Sequence, residues 1–124
     1  MMVLIDTPVW SLALRRRAAE HAGRQREIRK TLEEMIFAGR AALLGAIRQE
    51  LLSGIREDAQ YPRLRRSLRA FPDVDLITED YEEAARMNNA CRARGIAGSA
   101  VDLRICAAAH RRNWPIFTLD RDFV

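Results

Sequence analysis

Histidine, cysteine and lysine are almost missing from this chain of 124 residues: two histidines, two cysteines and the single lysine Lys30. Cys91 and Cys106 are too few for a disulfide framework and sit inside helical patterns, which indicates a reduced, cytoplasmic protein. His21 and His110 stand alone, without partners at zinc-ligand spacing. His/Cys metal chemistry and a Cys–His nucleophile are thereby set aside. No stretch approaches the ~20 apolar residues of a membrane span, so no membrane association is expected. The opening "MMVLIDTPVW" has no basic segment and carries Asp6 inside its one short apolar run, so it does not read as a signal peptide. Repeats, low-complexity tracts and Gly/Ser/Pro linkers are lacking too, which leaves residues 1–124 as one domain.

What is abundant is apolar residues and arginine. Hydrophobic residues make up 48% of the chain, enough to build a core rather than a disordered tail. All but Lys30 of the 21 basic residues are arginine, against 17 acidic ones, for a net charge of +4. Such a surplus suits a polyanionic partner, and equally suits an arginine-rich genome composition.

Four short, continuous apolar runs predict strands at Met2–Ile5, Ala41–Leu44, Val74–Ile77 and Ile116–Leu119. Runs without polar alternation belong to a sheet covered on both faces. Helical patterns lie between them. Ile28, Leu32, Met35 and Ile36 share one face, with Gly39 as a C-terminal stop. Leu64 and Leu68 share another, closed by Phe71-Pro72. Thr78 is expected to cap a helix ending at Gly95, and Ser99 to cap "SAVDLRICAAAHRR". Alternating strands and helices joined by right-handed crossovers predict an α/β fold, a three-layer α/β/α sandwich around a short parallel sheet.

In such sheets chemistry collects at the carboxyl ends of the strands. Asp6 directly follows the first strand, and Asp120 and Asp122 follow the last. Glu50 lies one turn into the helix after the second strand, and Asp102 three residues past Ser99. Each has an ordinary structural reading: Asp6 as a cap before Pro8, Asp102 as the third residue of a capping arrangement, Glu50 as a solvated helix residue, the last two as a turn. Their apolar neighbours, Ile47, Leu51 and Leu52 for Glu50 and "LRICAAA" for Asp102, place both acids near the core. Should the acids converge, two carboxylates ~4 Å apart repel by about 4 kcal/mol at an effective dielectric of 20. Protons or a cation must offset that repulsion. Oxygen ligands alone select a hard ion, Mg²⁺ or Mn²⁺.

In their contexts, "VLIDTPVW", "IRQELLSGI", "GIAGSAVDLRICAAA" and "PIFTLDRDF", these acids resemble the PIN-domain nucleases, specifically the VapC-type toxins of bacterial toxin–antitoxin pairs. The likeness spans essentially the whole chain. It implies that Asp6, Glu50, Asp102 and Asp120 form an acidic quartet with Asp122 as a fifth member, and that Thr7 and Thr118 are the small hydroxyl residues lining it. It also implies a Mg²⁺-dependent endoribonuclease, held inactive by a cognate VapB-like antitoxin and forming a homodimer. In that scheme Asp6 and Asp102 are direct metal ligands and Asp120 shares the site. Glu50 positions or deprotonates the attacking water, and Thr118 orients ligands. Arg15–Arg17 and the "RLRRSLR" stretch are candidates for the RNA backbone, or else solvated helix faces.

Two departures from the family pattern are expected to matter. Pro8 stands where a small polar residue is common, removing one hydrogen bond near Asp6. The sequence also stops at Val124, where relatives usually continue, so either a last strand is absent or the sequence is trimmed, which bears on Asp122 more than on Asp120. A phosphatase of the haloacid-dehalogenase kind would need an aspartate where Pro8 stands, and a receiver domain would need a lysine after a late strand, whereas Lys30 falls in a helix. Two alternatives remain: a non-catalytic RNA- or protein-binding module on a degenerate PIN fold, and a nuclease of the same fold that cleaves DNA or processes structured RNA outside any toxin system.

Overall fold

The computed structural model describes residues 1–14 and 23–119. The element order is β1 (Val3–Ile5), α1 (Thr7–Leu14), α2 (Arg24–Phe37), β2 (Ala41–Leu44), α3 (Gly45–Ser53), α4 (Gln60–Leu68), β3 (Asp73–Val74), α5 (Thr78–Ala93), α6 (Ala100–Arg112) and β4 (Ile116–Phe117). The four strands form one sheet in the order β3-β2-β1-β4, with every pair parallel. Steps from β1 to β2 to β3 run one way across the sheet, and the step from β3 to β4 runs back past β1. Right-handed connections therefore put α1–α4 on one face and α5–α6 on the other. The order reverses at β1, the central point where ligands bind in such sheets.

The two middle strands are fully buried, and Leu4, Ile5, Leu43 and Leu44 have no exposed surface. Helix faces close over them. Val9 and Trp10 from α1, Leu32 from α2, Ile47 and Leu51 from α3, and Leu64 and Leu68 from α4 join one cluster with Ile105 and Ala108 of α6. Each fully buried Leu or Ile stabilises the fold by roughly 1.5–3 kcal/mol relative to an exposed one. Trp10 is the largest fully buried side chain; its indole N–H donates to the Ile5 carbonyl (3.1 Å) and its ring meets Phe71 edge-on at 4.9 Å. A buried indole with its donor satisfied adds packing without a desolvation penalty.

The second strand matches its predicted bounds; the other three are shorter than predicted, and the third ends where side chains compete for its backbone. The Asp75 carbonyl accepts from Arg112, and the Ile77 N–H donates to the Asp80 carboxylate. Both groups are thereby taken from the sheet ladder, so β3 stops at Val74. Ile77, not Thr78, is the N-cap of α5, and Asp80 supplies the capping oxygen. β4 ends at Phe117, and Leu119 is 39% exposed rather than part of a buried strand. Ser99 does cap α6, its hydroxyl accepting the Asp102 N–H at 3.0 Å. Gly39 follows the end of α2 with φ +70°, a conformation open to glycine.

Asp80 is 2% exposed and salt-bridged to both Arg111 and Arg112 at 2.7 Å. The Arg112 hydrogen bond holds its carboxyl well below the usual range, against the opposing effect of burial and with help from the Ile77 N–H and Arg111. The cluster ties the start of α5 to the end of α6. On the opposite side, Arg48 of α3 donates to Asp73 (2.7 Å) and to the carbonyls of Leu68 and Phe71, fixing α4 and β3 against α3.

Candidate active site

Asp6 stands immediately after β1, at the carboxyl edge of the sheet, and is 5% exposed. Its own backbone is held on both sides. The N–H donates to the Phe117 carbonyl of β4 (3.0 Å), and the carbonyl receives Val9 and Trp10 N–H groups as α1 begins. The side chain is fixed as well. Oδ1 accepts the Thr7 N–H at 2.8 Å, and Oδ2 accepts the Thr118 hydroxyl at 2.8 Å. Asp6 thus meets both the first residue of α1 and the segment after β4.

Thr7 turns its hydroxyl the other way, to Glu50 Oε2 at 2.8 Å. Glu50 itself is exposed, which corrects the expectation that it lies near the core: Ile47 and Leu51 take the inward face of α3, and Glu50 flanks that face. A single residue, Thr7, still links it to Asp6. Asp102 sits half-buried in the first turn of α6, where the helix N-terminus favours an anion. Cys106, one turn further along α6, senses it. Burial pushes the Cys106 thiol pKa up, and the negative charges of Asp102, Cys91 and Asp6 push it further.

The described residues therefore join Asp6, Thr7, Glu50 and Thr118 in one hydrogen-bonded chain, of which Asp102 is not a part. Among them, no group of three or more His, Cys, Asp or Glu side chains stands close enough to hold a metal ion. Asp120 and Asp122, expected to complete the acidic group, lie outside the described residues, as do Arg15–Arg17. The donor chemistry that is present, carboxylate and hydroxyl oxygen at one sheet edge, fits a hard divalent ion. Glu50 and Asp102 form no ion pair among the described residues.

The profile of the PIN domain matches residues 3–124. The chain belongs to the PIN-domain family. VapC ribonuclease Mb1587 of Mycobacterium bovis and Ribonuclease VapC11 of Mycobacterium tuberculosis are each 32% identical to this PIN domain over 124 residues, across 98% of it and 89% of the relative. FitAcB from Neisseria gonorrhoeae superposes with a TM-score of 0.75 at 19% identity, over 96% of this chain and 88% of that one. VapBC2 from Rickettsia felis, solved bound to a DNA fragment from their promoter, gives 0.72 at 14% identity, over 99% and 91%. At these identities the two structures speak for the fold. No helix among the described residues is long and apolar enough to cross a membrane.

Sequence reasoning missed the Asp80–Arg111–Arg112 cluster and the bonds of Arg48, because arginine at those positions reads as an ordinary solvated helix face. The one available signal was Asp80 three residues past Ile77, capping spacing with an apolar residue at the cap.

Proposed function

We propose that this PIN domain is a Mg²⁺- or Mn²⁺-dependent endoribonuclease acting as the toxin of a VapBC-type toxin–antitoxin pair in the cytoplasm. The observation that carries the reading is the Asp6 carboxylate, buried at the sheet's switch point and held by the Thr7 N–H and the Thr118 hydroxyl. The 32% identity to proteins named VapC ribonucleases, over 98% of the chain, supports it.

Asp6 and Asp102 would hold the divalent ion, with Asp120 and Asp122 adding oxygen ligands. The ion, when bound, supplies Lewis-acid polarisation of the scissile phosphate and acidifies the attacking water. The chain's residues do the rest. Thr118 fixes the rotation of the Asp6 carboxylate, so its oxygens are presented in one direction. Thr7 anchors one Glu50 oxygen, leaving the other at the solvent side to take the proton of the attacking water. Arg63, Arg65, Arg66 and Arg69 line the exposed face of α4 while Leu64 and Leu68 bury the other. They provide phosphate contacts that carry affinity but no sequence information. A VapB-like antitoxin and a second copy of the chain are the protein partners this reading implies.

The test is cleavage of single-stranded RNA by the purified chain with Mg²⁺ or Mn²⁺, against an EDTA-treated sample. Asp6→Asn and Asp102→Asn are expected to abolish cleavage with circular dichroism unchanged. Undiminished cleavage in EDTA overturns the reading.

A further inference from the structure

Beside the acids, and separate from them, lies a cavity of about 550 Å³ between α5, α6 and β4, lined by Met87, Cys106, His110, Trp114, Ile116 and Thr118 among others. The size is in the range of small-ligand sites, ~300–1,000 Å³. Two of its walls belong to the acidic network. Thr118 donates to Asp6, and Cys106 lies one turn from Asp102 on α6. Whatever fills the cavity therefore sits next to the group held over Asp6.

The lining favours a flat, uncharged guest with a hydrogen-bonding rim. Met87 and Ile116 are apolar, and among the described lining residues none carries a permanent charge. Trp114 is a fixed platform. The Arg112 guanidinium lies 5.7 Å from its ring centroid, and Arg112 is locked in turn by Asp80. The Trp114 backbone is also pinned: Asn113 takes the left-handed conformation (φ 57°) that ends α6, and the Trp114 N–H returns to the Ala109 carbonyl at 2.9 Å. His110, exposed at the rim, offers a ring donor and acceptor.

We propose that this cavity is a nucleobase subsite, where a base of single-stranded RNA stacks on Trp114 with its edge toward His110 and its phosphate passing Thr118 toward Asp6. The proposal rests on the ribonuclease reading above. It adds the residue on which a base is held, since unstacked bases are read by aromatic platforms. Stacking on one aromatic side chain is worth ~1–3 kcal/mol per base, so its loss weakens binding roughly 5- to 150-fold.

The experiment measures binding of the full chain, in EDTA so that nothing is cleaved, to a labelled single-stranded oligoribonucleotide and to an abasic one of equal length. Wild type is expected to prefer the oligonucleotide with bases, with quenching of tryptophan emission. Trp10 is fully buried, so the quenching reports Trp114. Trp114→Ala should lose the preference and bind both oligonucleotides alike, Trp114→Phe should keep most of it without the quenching, and His110→Ala, at an exposed position, should weaken it without unfolding risk. Equal affinity of wild type for the two oligonucleotides, or binding of neither, overturns the proposal. So does a Trp114→Ala variant that stays folded and keeps the wild-type preference for the oligonucleotide with bases, because the indole then holds no base. Base-dependent binding through Trp114 without any cleavage in Mg²⁺ or Mn²⁺ sustains the subsite and removes the ribonuclease reading alone.

Discussion

Thr118 donates its hydroxyl to Asp6 at 2.8 Å, across a sequence separation of 112 residues. The bond joins the end of the first strand to the end of the last, and it exists because β4 pairs with β1 in parallel register, Ile5 opposite Phe117. One residue past each strand end, the two side chains meet. Topology, rather than local sequence, is what gives the buried carboxylate its second donor.

Thr118→Val keeps the side chain's shape and removes that donor. A hydrogen bond to a charged group is worth about 1.5–3 kcal/mol, so the variant is expected to lose stability in that range and to cleave RNA more slowly, because the Asp6 carboxylate loses the donor on its Oδ2. Thr118→Ser should restore most of both. Urea unfolding and initial cleavage rates check this; a Thr118→Val protein with unaltered stability and rate would show that the bond does nothing.

Much of this arrangement is legible in the sequence, and the parts that are not have two causes. The continuous apolar runs around Leu4 and Leu43 name the two buried strands, and Leu64 with Leu68 correctly name the inner face of α4. Ser99 is readable as a cap because its partner is three residues away. Glu50 misleads, since apolar neighbours on a helix say which face is inward but not on which side of its boundary a given residue falls. The ends of β3 are hidden for a different reason. The C-terminal end is set in part by Arg112, 37 residues beyond the Asp75 carbonyl it engages, a bond no local pattern encodes, and in part by the Asp80 carboxylate, which takes the nearby Ile77 N–H. The pairing of Thr7 with Glu50 is of the same long-range kind.

Glu50 is exposed and bonded only through Thr7 among the described residues. Glu50→Gln keeps an oxygen for that hydroxyl and removes the charge, so stability should change by less than about 0.5 kcal/mol, as at most surface sites. Cleavage should still fall by about 10²–10⁴-fold, the scale of general-base catalysis. A thermal melt and a single-turnover cleavage assay, run on the same preparation, separate the two effects. Cleavage at the wild-type rate would remove Glu50 from the chemistry.

A divalent ion that binds the folded chain alone must stabilise it, by about 2.7 kcal/mol when present at a hundred times its dissociation constant. Mn²⁺ is therefore expected to raise the melting temperature of the wild type and to be removed reversibly by EDTA. Asp102→Asn should flatten that response, because one of the two carboxylates proposed to hold the ion is gone. A melting temperature indifferent to Mn²⁺ in the wild type would count against a metal site at these acids.

Acid stability should depend on Asp80. Its folded carboxyl is held below the usual range, chiefly by the Arg112 hydrogen bond, whereas in the unfolded chain it titrates near the ordinary aspartate value of about 3.9. Between those two values the unfolded state binds more protons, so stability rises with pH there. The contribution is fully present above about pH 4 and is lost as pH falls through the ordinary range toward the lower folded value. Asp80→Asn should lose about 3 kcal/mol at neutral pH, the lower end for breaking a buried pair, since Arg111 and Arg112 keep part of their solvent contact. It should also show a shallower decline in stability below pH 4 than the wild type. Parallel urea titrations from pH 7 to pH 3 measure both, and matching slopes in the two proteins would mean that other carboxylates govern the acid limb.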